Sequence, residues 1–373
     1  MQLDFHYYAT YCAAVLAGYS HEEASQICYS AQFVDDCTRT FLARIKGPSV
    51  ACTTQLMMEM ADADTHKAGL ADITRIWASF HFLPYDLYAD VPKGSQDLKN
   101  KYRLLCRNNG TLVADTVNLA KGKTLQAVGV SMHVLADTWA HANFAGTPSM
   151  MMNDTNYHFY EYIQKDGEWI RRKVRFGLGS GESLELSRYI NSISTKTENS
   201  IMSLGHGQAG HLPDYSCVRY VYMPAWGGYE EIYKDNPSDY WYAFCQMIYA
   251  MKYLRGEIGT FELKQYDFEE AAPYEEEIRA LLEKRQLDDS ADWKALGEKI
   301  SGCEIEDFST EKHVKEYTDA AADAKDDTFL GQFFQAALVQ KIMVTEKIIA
   351  SGSTLAGKTV DFVKKEKKPG REA

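Results

Sequence analysis

LQAVGVSMHVLADTWAHANF, residues 125–144, carries three potential metal ligands at one helical interval, because His133, Asp137 and His141 stand four residues apart each time. On a helix that spacing drifts only slightly from a straight line, so the three side chains share a face. Val128, Val130, Leu135 and Ala136 make the surroundings apolar, which predicts a buried helix. Buried imidazoles and a buried carboxylate need partners, and a cation is one of the few that satisfies three at once. Taken singly, each of these residues is explained more simply as a hydrogen-bonded core residue. It is their company elsewhere in the chain that points to metal.

Working outward, helical periodicity runs from Phe5 to Ala17 and stops at Gly18, and Ser20 with Glu23 forms a capping box for a second helix. That helix ends in Asp35 and Asp36, where the negative end of the helix dipole asks for a cation beside a carboxylate. Residues 47 to 66 read as irregular and include His66, and the next helical run reaches His81, between Phe80 and Phe82 and just before Pro84. KDGEWIRRKVRF predicts a hairpin around Asp166 and Gly167, a small β decoration near 160–180. A helix is expected from about Leu184 to Leu204. It leads into GHGQAGHLPDYS, where His211 and Asp214 lie three residues apart and His206 sits in a glycine-rich loop.

The remainder reads as amphipathic helices with many charge pairs four residues apart. The expected organisation is a helical metal-binding domain over 1–258, a helical extension over 259–358 packed on it, and a solvated tail over 359–373. Gly352 to Thr359, GSTLAGKT, matches the phosphate-loop expression, but a helical run precedes it where a strand is required, so no nucleotide site is expected there.

With 40 basic and 52 acidic residues the formal charge is −12, which disfavours nucleic acid as a partner. Eight cysteines without a CxxC motif predict free thiols and a reducing, cytoplasmic setting. No apolar run is long enough for a membrane span, and none of the residues preceding it make the first apolar stretch a secretory signal.

Collected, the candidate ligands are His6, Asp35 or Asp36, His81, His133, Asp137, His141, His211 and Asp214, with Asp4, His66 and His206 as a second tier. Imidazole and carboxylate without thiolate suit Zn2+, with Mn2+ or Fe2+ as alternatives, and this many ligands imply two or three ions. No Glu-x-x-His occurs, nor an adjacent His-Asp pair, nor HExxH, which sets aside the ferritin-like, HD-phosphohydrolase and zinc-protease patterns.

The order of these residues over 1 to about 220 resembles the zinc-dependent phospholipase C and single-strand-specific nuclease superfamily. The pieces that carry the resemblance are His6, the acid after the second helix, His81, the HxxxD of His133 and Asp137, His141, and the late His211 with Asp214. It implies a mostly α, orthogonal multi-helix bundle and hydrolysis of a small-molecule or lipid phosphoester. Asp35 or Asp36, His81, His133 and Asp137 would hold one ion and His141, His211 and Asp214 a second, with Asp137 bridging to a third near His6. The carboxylates Asp35, Asp36 and Asp137 would orient the attacking water, and Arg39 and Arg219 would contact phosphate. In that superfamily an N-terminal tryptophan gives one metal its amine and carbonyl. Here Met1 stands first, and His141 follows Asp137 more closely than is usual, which leaves open whether two ions bind or three. A non-catalytic helical protein with a structural metal or a buried His/Asp network is the alternative, and a metallohydrolase of other chemistry, such as an amidase, is a third.

Overall fold

A computed structural model describes residues 1–63, 67–90, 96–177, 181–191 and 203–356. Its first residues form a wide, π-type turn over Asp4–Ala9 that runs into α1 (Thr10–Leu16). The chain reverses at Gly18, whose φ of 86° favours glycine. The Ser20 hydroxyl accepts from the Glu23 N–H while the Glu23 carboxylate accepts from the Ser20 N–H, so the capping box opens α2 (His21–Asp36).

After α3 (Arg39–Ile45), a helix stands where irregular chain is expected: α4 (Met57–Ala63). Its start is held by Glu59, whose carboxylate accepts from the Leu56 N–H at 3.2 Å and from the Thr40 N–H at 2.7 Å, a contact that local sequence does not announce. His66 lies outside the described residues. Then come α5 (Lys67–Phe80), α6 (Gln96–Tyr102), α7 (Thr111–Ala120) and α8 (Leu125–Ala140), the last capped by the Thr124 hydroxyl.

Beyond α9 (Met150–Asn153) the predicted hairpin is present, with β1 (Phe159–Lys165) antiparallel to β2 (Glu168–Lys173). Asp166 and Gly167 both take positive φ, 54° and 84°, as a two-residue hairpin turn requires. The β structure is larger than a hairpin. A short parallel pair joins β3 (Arg175–Phe176) to β4 (Arg188–Tyr189), and β5 (Arg219–Tyr222) and β6 (Ile232–Asp235) extend the main sheet in the order β2-β1-β5-β6.

The expected helix over Leu184–Leu204 is therefore not formed in its described first part. Instead Glu161, fully buried on β1, draws this segment in: its carboxylate accepts from the Tyr189 hydroxyl and the Arg172 guanidinium, each at 2.8 Å. A buried carboxylate that needs several donors outweighs helix periodicity here. Residues 192–202 lie outside the described residues.

Asp235 caps α10 (Asn236–Arg255), and α11 (Phe268–Ala271), α12 (Glu275–Glu283), α13 (Ser290–Ser301), α14 (Glu311–Asp319) and α15 (Phe329–Ala350) follow. The protein is thus mostly helical with a small antiparallel sheet. α8 lies at its centre, packed against α2, α5, α7, α10 and α15. Trp293, Leu330 and Phe333 share the largest apolar core with Phe5, Phe33 and Phe244, so the chain beyond 259 contributes to the same interior as the chain before it. Among the described residues no helix is long and apolar enough to cross a membrane. All eight cysteines are free. Gly352 follows the end of helix α15, and the tail from 357 on lies outside the described residues.

One close approach sets the site's dimensions. A Cβ on Gly129 would stand 2.4 Å from the Ile27 carbonyl oxygen and 2.5 Å from the Ser30 Cβ, so only glycine lets α8 lie against α2 at this point. One turn further along α8, the His133 Nδ1–H then reaches the Ala31 carbonyl on α2 at 2.9 Å.

Candidate metal centre

His133, Asp137 and His141 do share one face of α8, and all three are buried. Asp137 is the hub. Its Oδ1 lies 3.1 Å from His6 Nε2 and 2.9 Å from the Met1 nitrogen, and its Oδ2 lies 3.2 Å from both His81 Nδ1 and His133 Nε2. Three sets of donor atoms gather around it, each set within 4.8 Å of one another: His6, His133 and Asp137; Asp35, His81 and His133; His141, His206 and Asp214.

The imidazoles are oriented by the backbone. Because a carbonyl can only accept, each ring nitrogen facing one carries the proton. His81 donates from Nε2 to Thr53 at 3.1 Å, His133 from Nδ1 to Ala31, His141 from Nδ1 to His81 at 2.7 Å, and His206 from Nδ1 to Gly210 at 2.8 Å. The second nitrogen of each ring then faces the site, where it can hold a proton or offer a lone pair to a metal ion. His81 Nδ1 and His133 Nε2 face each other 3.3 Å apart, and His141 Nε2 faces Asp214 Oδ1 at 3.0 Å. Facing acceptors of this kind repel unless a proton or a metal ion lies between them. Two ligands each about 2.0–2.2 Å from one tetrahedral zinc stand roughly 3.4 Å apart, which matches these spacings. Backbone carbonyls on the far ring nitrogens are also the usual outer support of metal-bound histidine.

Charge follows the same geometry. Burial opposes ionisation of Asp137, but His141, the Met1 amine, His133 and His6 together hold its carboxyl well below the usual range. Asp214 is likewise buried and likewise held well below it by His206, the Met1 amine and His141. Burial, then the neighbouring His133 and Met1 amine, push His6 down to about 3, and burial pushes His206 down to about 4. Both rings are therefore neutral at pH 7, the form that binds a metal. His6 Nδ1 is buried and has no hydrogen-bond partner. The Met1 nitrogen, 3.4 Å from Asp214 Oδ1 as well, lies between the two carboxylates.

Of the acidic pair ending α2, Asp35 faces the site. Its carboxylate oxygens lie 3.7 Å from His81 Nδ1 and 3.9 Å from His6 Nε2, and its side chain is 31% exposed, which marks the open side of the centre. Asp36 turns away and accepts from Gln32 Nε2 at 3.1 Å. His211 is outside the donor sets: its Nδ1 lies 3.4 Å from Glu182 and its side chain is half exposed. His206 stands in the place expected of it, 3.7 Å from Asp214 Oδ1. His211 lies just before the 3-10 turn Leu212–Asp214 rather than on a continuous helix with Asp214. The glycine-rich stretch before it carries the signal instead, since Gly205 and Gly210 take positive φ and fold the loop so that His206 points inward.

His206→Ala is therefore expected to lower metal content measured by mass spectrometry, whereas His211→Ala leaves it unchanged. The reverse result would exchange their roles.

The two arginines are engaged elsewhere. Arg39 pairs with Asp72, and Arg219 bonds Asp235 at 3.0 Å and Glu283 at 2.9 Å while lying over the Trp169 ring. Asp4 is also outside the donor sets, accepting from the Phe5 N–H at 2.7 Å. It is near Asp289; burial and then Asp4 push the Asp289 carboxyl up to about 7. A carboxyl raised in this way favours the fold while protonated, so its contribution is lost as pH rises from 4 through 7. Asp289→Asn should accordingly raise the melting temperature at pH 8 and leave it unchanged at pH 4, a pattern that thermal melts across this range would check.

Over residues 1–348 the chain matches, and belongs to, the family of unknown function DUF6765. No curated protein and no solved structure matches it.

Proposed function

We propose that this member of a family of unknown function is a metal-dependent phosphoester hydrolase holding two or three divalent ions, with zinc the ion that its imidazole and carboxylate donors suit best. The observation that carries the reading is the convergence of ring nitrogens and carboxylates, His81 Nδ1 facing His133 Nε2 and His141 Nε2 facing Asp214, in rings whose other nitrogens are already committed to carbonyls. Asp35, His81 and His133 would hold one ion, and His141, His206 and Asp214 a second. His6 and Asp137 would hold a third, with the Met1 nitrogen as a further donor once it has lost its proton.

Such ions supply Lewis acidity toward a phosphoryl oxygen and bring the pKa of an attacking water toward about 7. The chain's own part is to hold that chemistry in place. Asp137 spans the donor sets with both oxygens and keeps their charge balanced. Asp35, the most exposed of the carboxylates at the centre, is positioned to accept a hydrogen bond from a water at the open side and to orient it. Thr53, Ala31, His81 and Gly210 carbonyls fix the rings so that no reorganisation is needed during reaction. The substrate class is a small-molecule or lipid phosphoester; the charge of −12 weighs against nucleic acid.

A second reading, a non-catalytic His/Asp network, has one observation in its favour. The Met1 ammonium, raised to about 11 chiefly by Asp137 and Asp214 against the opposing effect of burial, already neutralises charge between those carboxylates.

Metal analysis of protein purified without chelator, together with hydrolysis of bis(p-nitrophenyl) phosphate, separates the two. Two or three equivalents of ion and a hydrolysis rate abolished by chelator and restored by Zn2+ would support the hydrolase. Bound ion without hydrolysis of this and other phosphoesters would favour a structural metal, and absence of ion would leave the network reading.

A further inference from the structure

A second cluster of charged groups lies behind the segment that anchors His81. Lys341, on α15, is buried, and its Nζ donates to the Val50 carbonyl at 2.8 Å, to the Cys52 carbonyl and to the Cys52 sulfur at 3.9 Å. No carboxylate approaches that ammonium within ion-pair distance among the described residues. It forms part of the wall of a cavity of about 390 Å³ that also receives the Arg39 and Arg75 side chains. Arg75 bonds Asp72 through Nη1 at 3.1 Å, and among the described residues no other acceptor is bonded to its guanidinium.

The rest of the wall sets apolar Val50, Leu338 and Ile342 beside Ser49, Cys52, Thr345 and Glu346, and Val50 and Ile342 are 64% and 54% exposed. Counting the charged lining groups, Arg39, Arg75 and Lys341 against Asp72 and Glu346 leave one positive charge uncompensated.

A buried ammonium without a counter-ion, a guanidinium fork with free donors, and the adjoining apolar side chains of Val50, Leu338 and Ile342 suit one kind of guest: a singly charged oxyanion with an alkyl tail. We propose that this cavity is a binding site for an amphiphilic carboxylate, its head hydrogen-bonded by Arg75 beside the uncompensated charge of Lys341 and its tail along Val50 and Ile342. Guanidinium matches a carboxylate with two parallel hydrogen bonds, and the volume is that of an ordinary small-molecule pocket. The site is independent of the metal reading. It meets the candidate metal centre through the backbone, since Lys341 holds the Cys52 carbonyl and the next carbonyl, of Thr53, accepts from His81.

The test is calorimetric titration of chelator-treated protein with octanoate, and with acetate and octanol as head-only and tail-only controls. Octanoate is expected to bind at one site, at least tenfold tighter than either control. Arg75→Gln, at a side chain 38% exposed, is expected to weaken octanoate about tenfold, the loss of one charge-assisted contact, with the circular dichroism of the wild type. Ile342→Asn is expected to weaken octanoate and leave acetate unchanged. Octanoate binding no tighter than octanol, or equal in the wild type and Arg75→Gln, would overturn the proposal. Because chelator is present throughout, neither result depends on whether the His/Asp centre binds metal.

Discussion

Asp137→Ala is expected to remove most of the metal from the protein, from two or three equivalents to less than one, and to do so more completely than loss of any single histidine. The reason is its position between the donor sets: one oxygen faces His6 and the Met1 nitrogen, the other faces His81 and His133. Removing an outer partner of a ligand costs about 10–100-fold in affinity, and removing a carboxylate shared between sites should cost more. Alanine also leaves an ammonium buried without its nearest counter-charge, a defect worth roughly 3–5 kcal/mol when a buried ion pair is broken.

Asp137→Asn separates these two effects. It keeps the volume and one acceptor oxygen, so the far-ultraviolet circular dichroism should remain that of the wild type while metal content still falls. Wild-type protein that contains no ion, and whose melting temperature is indifferent to both chelator and Zn2+, would show that Asp137 serves the hydrogen-bond network alone.

Gly129→Val should be the most damaging substitution remote from the ligands. The added Cβ would meet the Ile27 carbonyl oxygen at 2.4 Å and the Ala31 amide nitrogen at 3.0 Å, backbone atoms that cannot turn aside, so α8 must move away from α2. Overpacking of this kind costs typically about 1–3 kcal/mol, and the upper end or beyond is expected where two helix backbones must part. The displacement also pulls His133 from Ala31, so metal content should fall together with the melting temperature. Gly122→Ala is the control: its φ is 68° and nothing lies within 4 Å, so it should cost only the roughly 1–2 kcal/mol of a left-handed backbone and leave metal content intact. Equal metal content in Gly129→Val and the wild type would mean that the helix spacing does not set the site.

The helical character, the capping box at Ser20, the hairpin at Asp166-Gly167 and the inward face of α8 are legible in the chain because each depends on neighbours within a turn or two. So is most of the set of residues that converges on Asp137, since imidazole and carboxylate at helical spacing in apolar runs fall on one buried face. Three-dimensional packing decided the rest. Whether Asp35 or Asp36 faces inward depends on how α2 packs against α8, a distant stretch whose Gly129 allows the close approach. The choice of His206 over His211 depends on a loop closed by glycines in left-handed conformations. β5 and β6 exist because β1 offers them an edge, and the segment after Leu184 becomes extended because the buried Glu161 needs donors. The Arg39 and Arg219 side chains are taken by Asp72, Asp235 and Glu283, acids lying 33, 16 and 64 residues away in sequence. The Met1 nitrogen reaches Asp137 across 136 residues. By itself, then, the amino-acid order determined which residue types could bind and which segments would be helical, because those are properties of local periodicity and side-chain chemistry. Which of those side chains meet was decided only by the fold, because buried charges and close backbone contacts are satisfied by partners that chain proximity does not reveal.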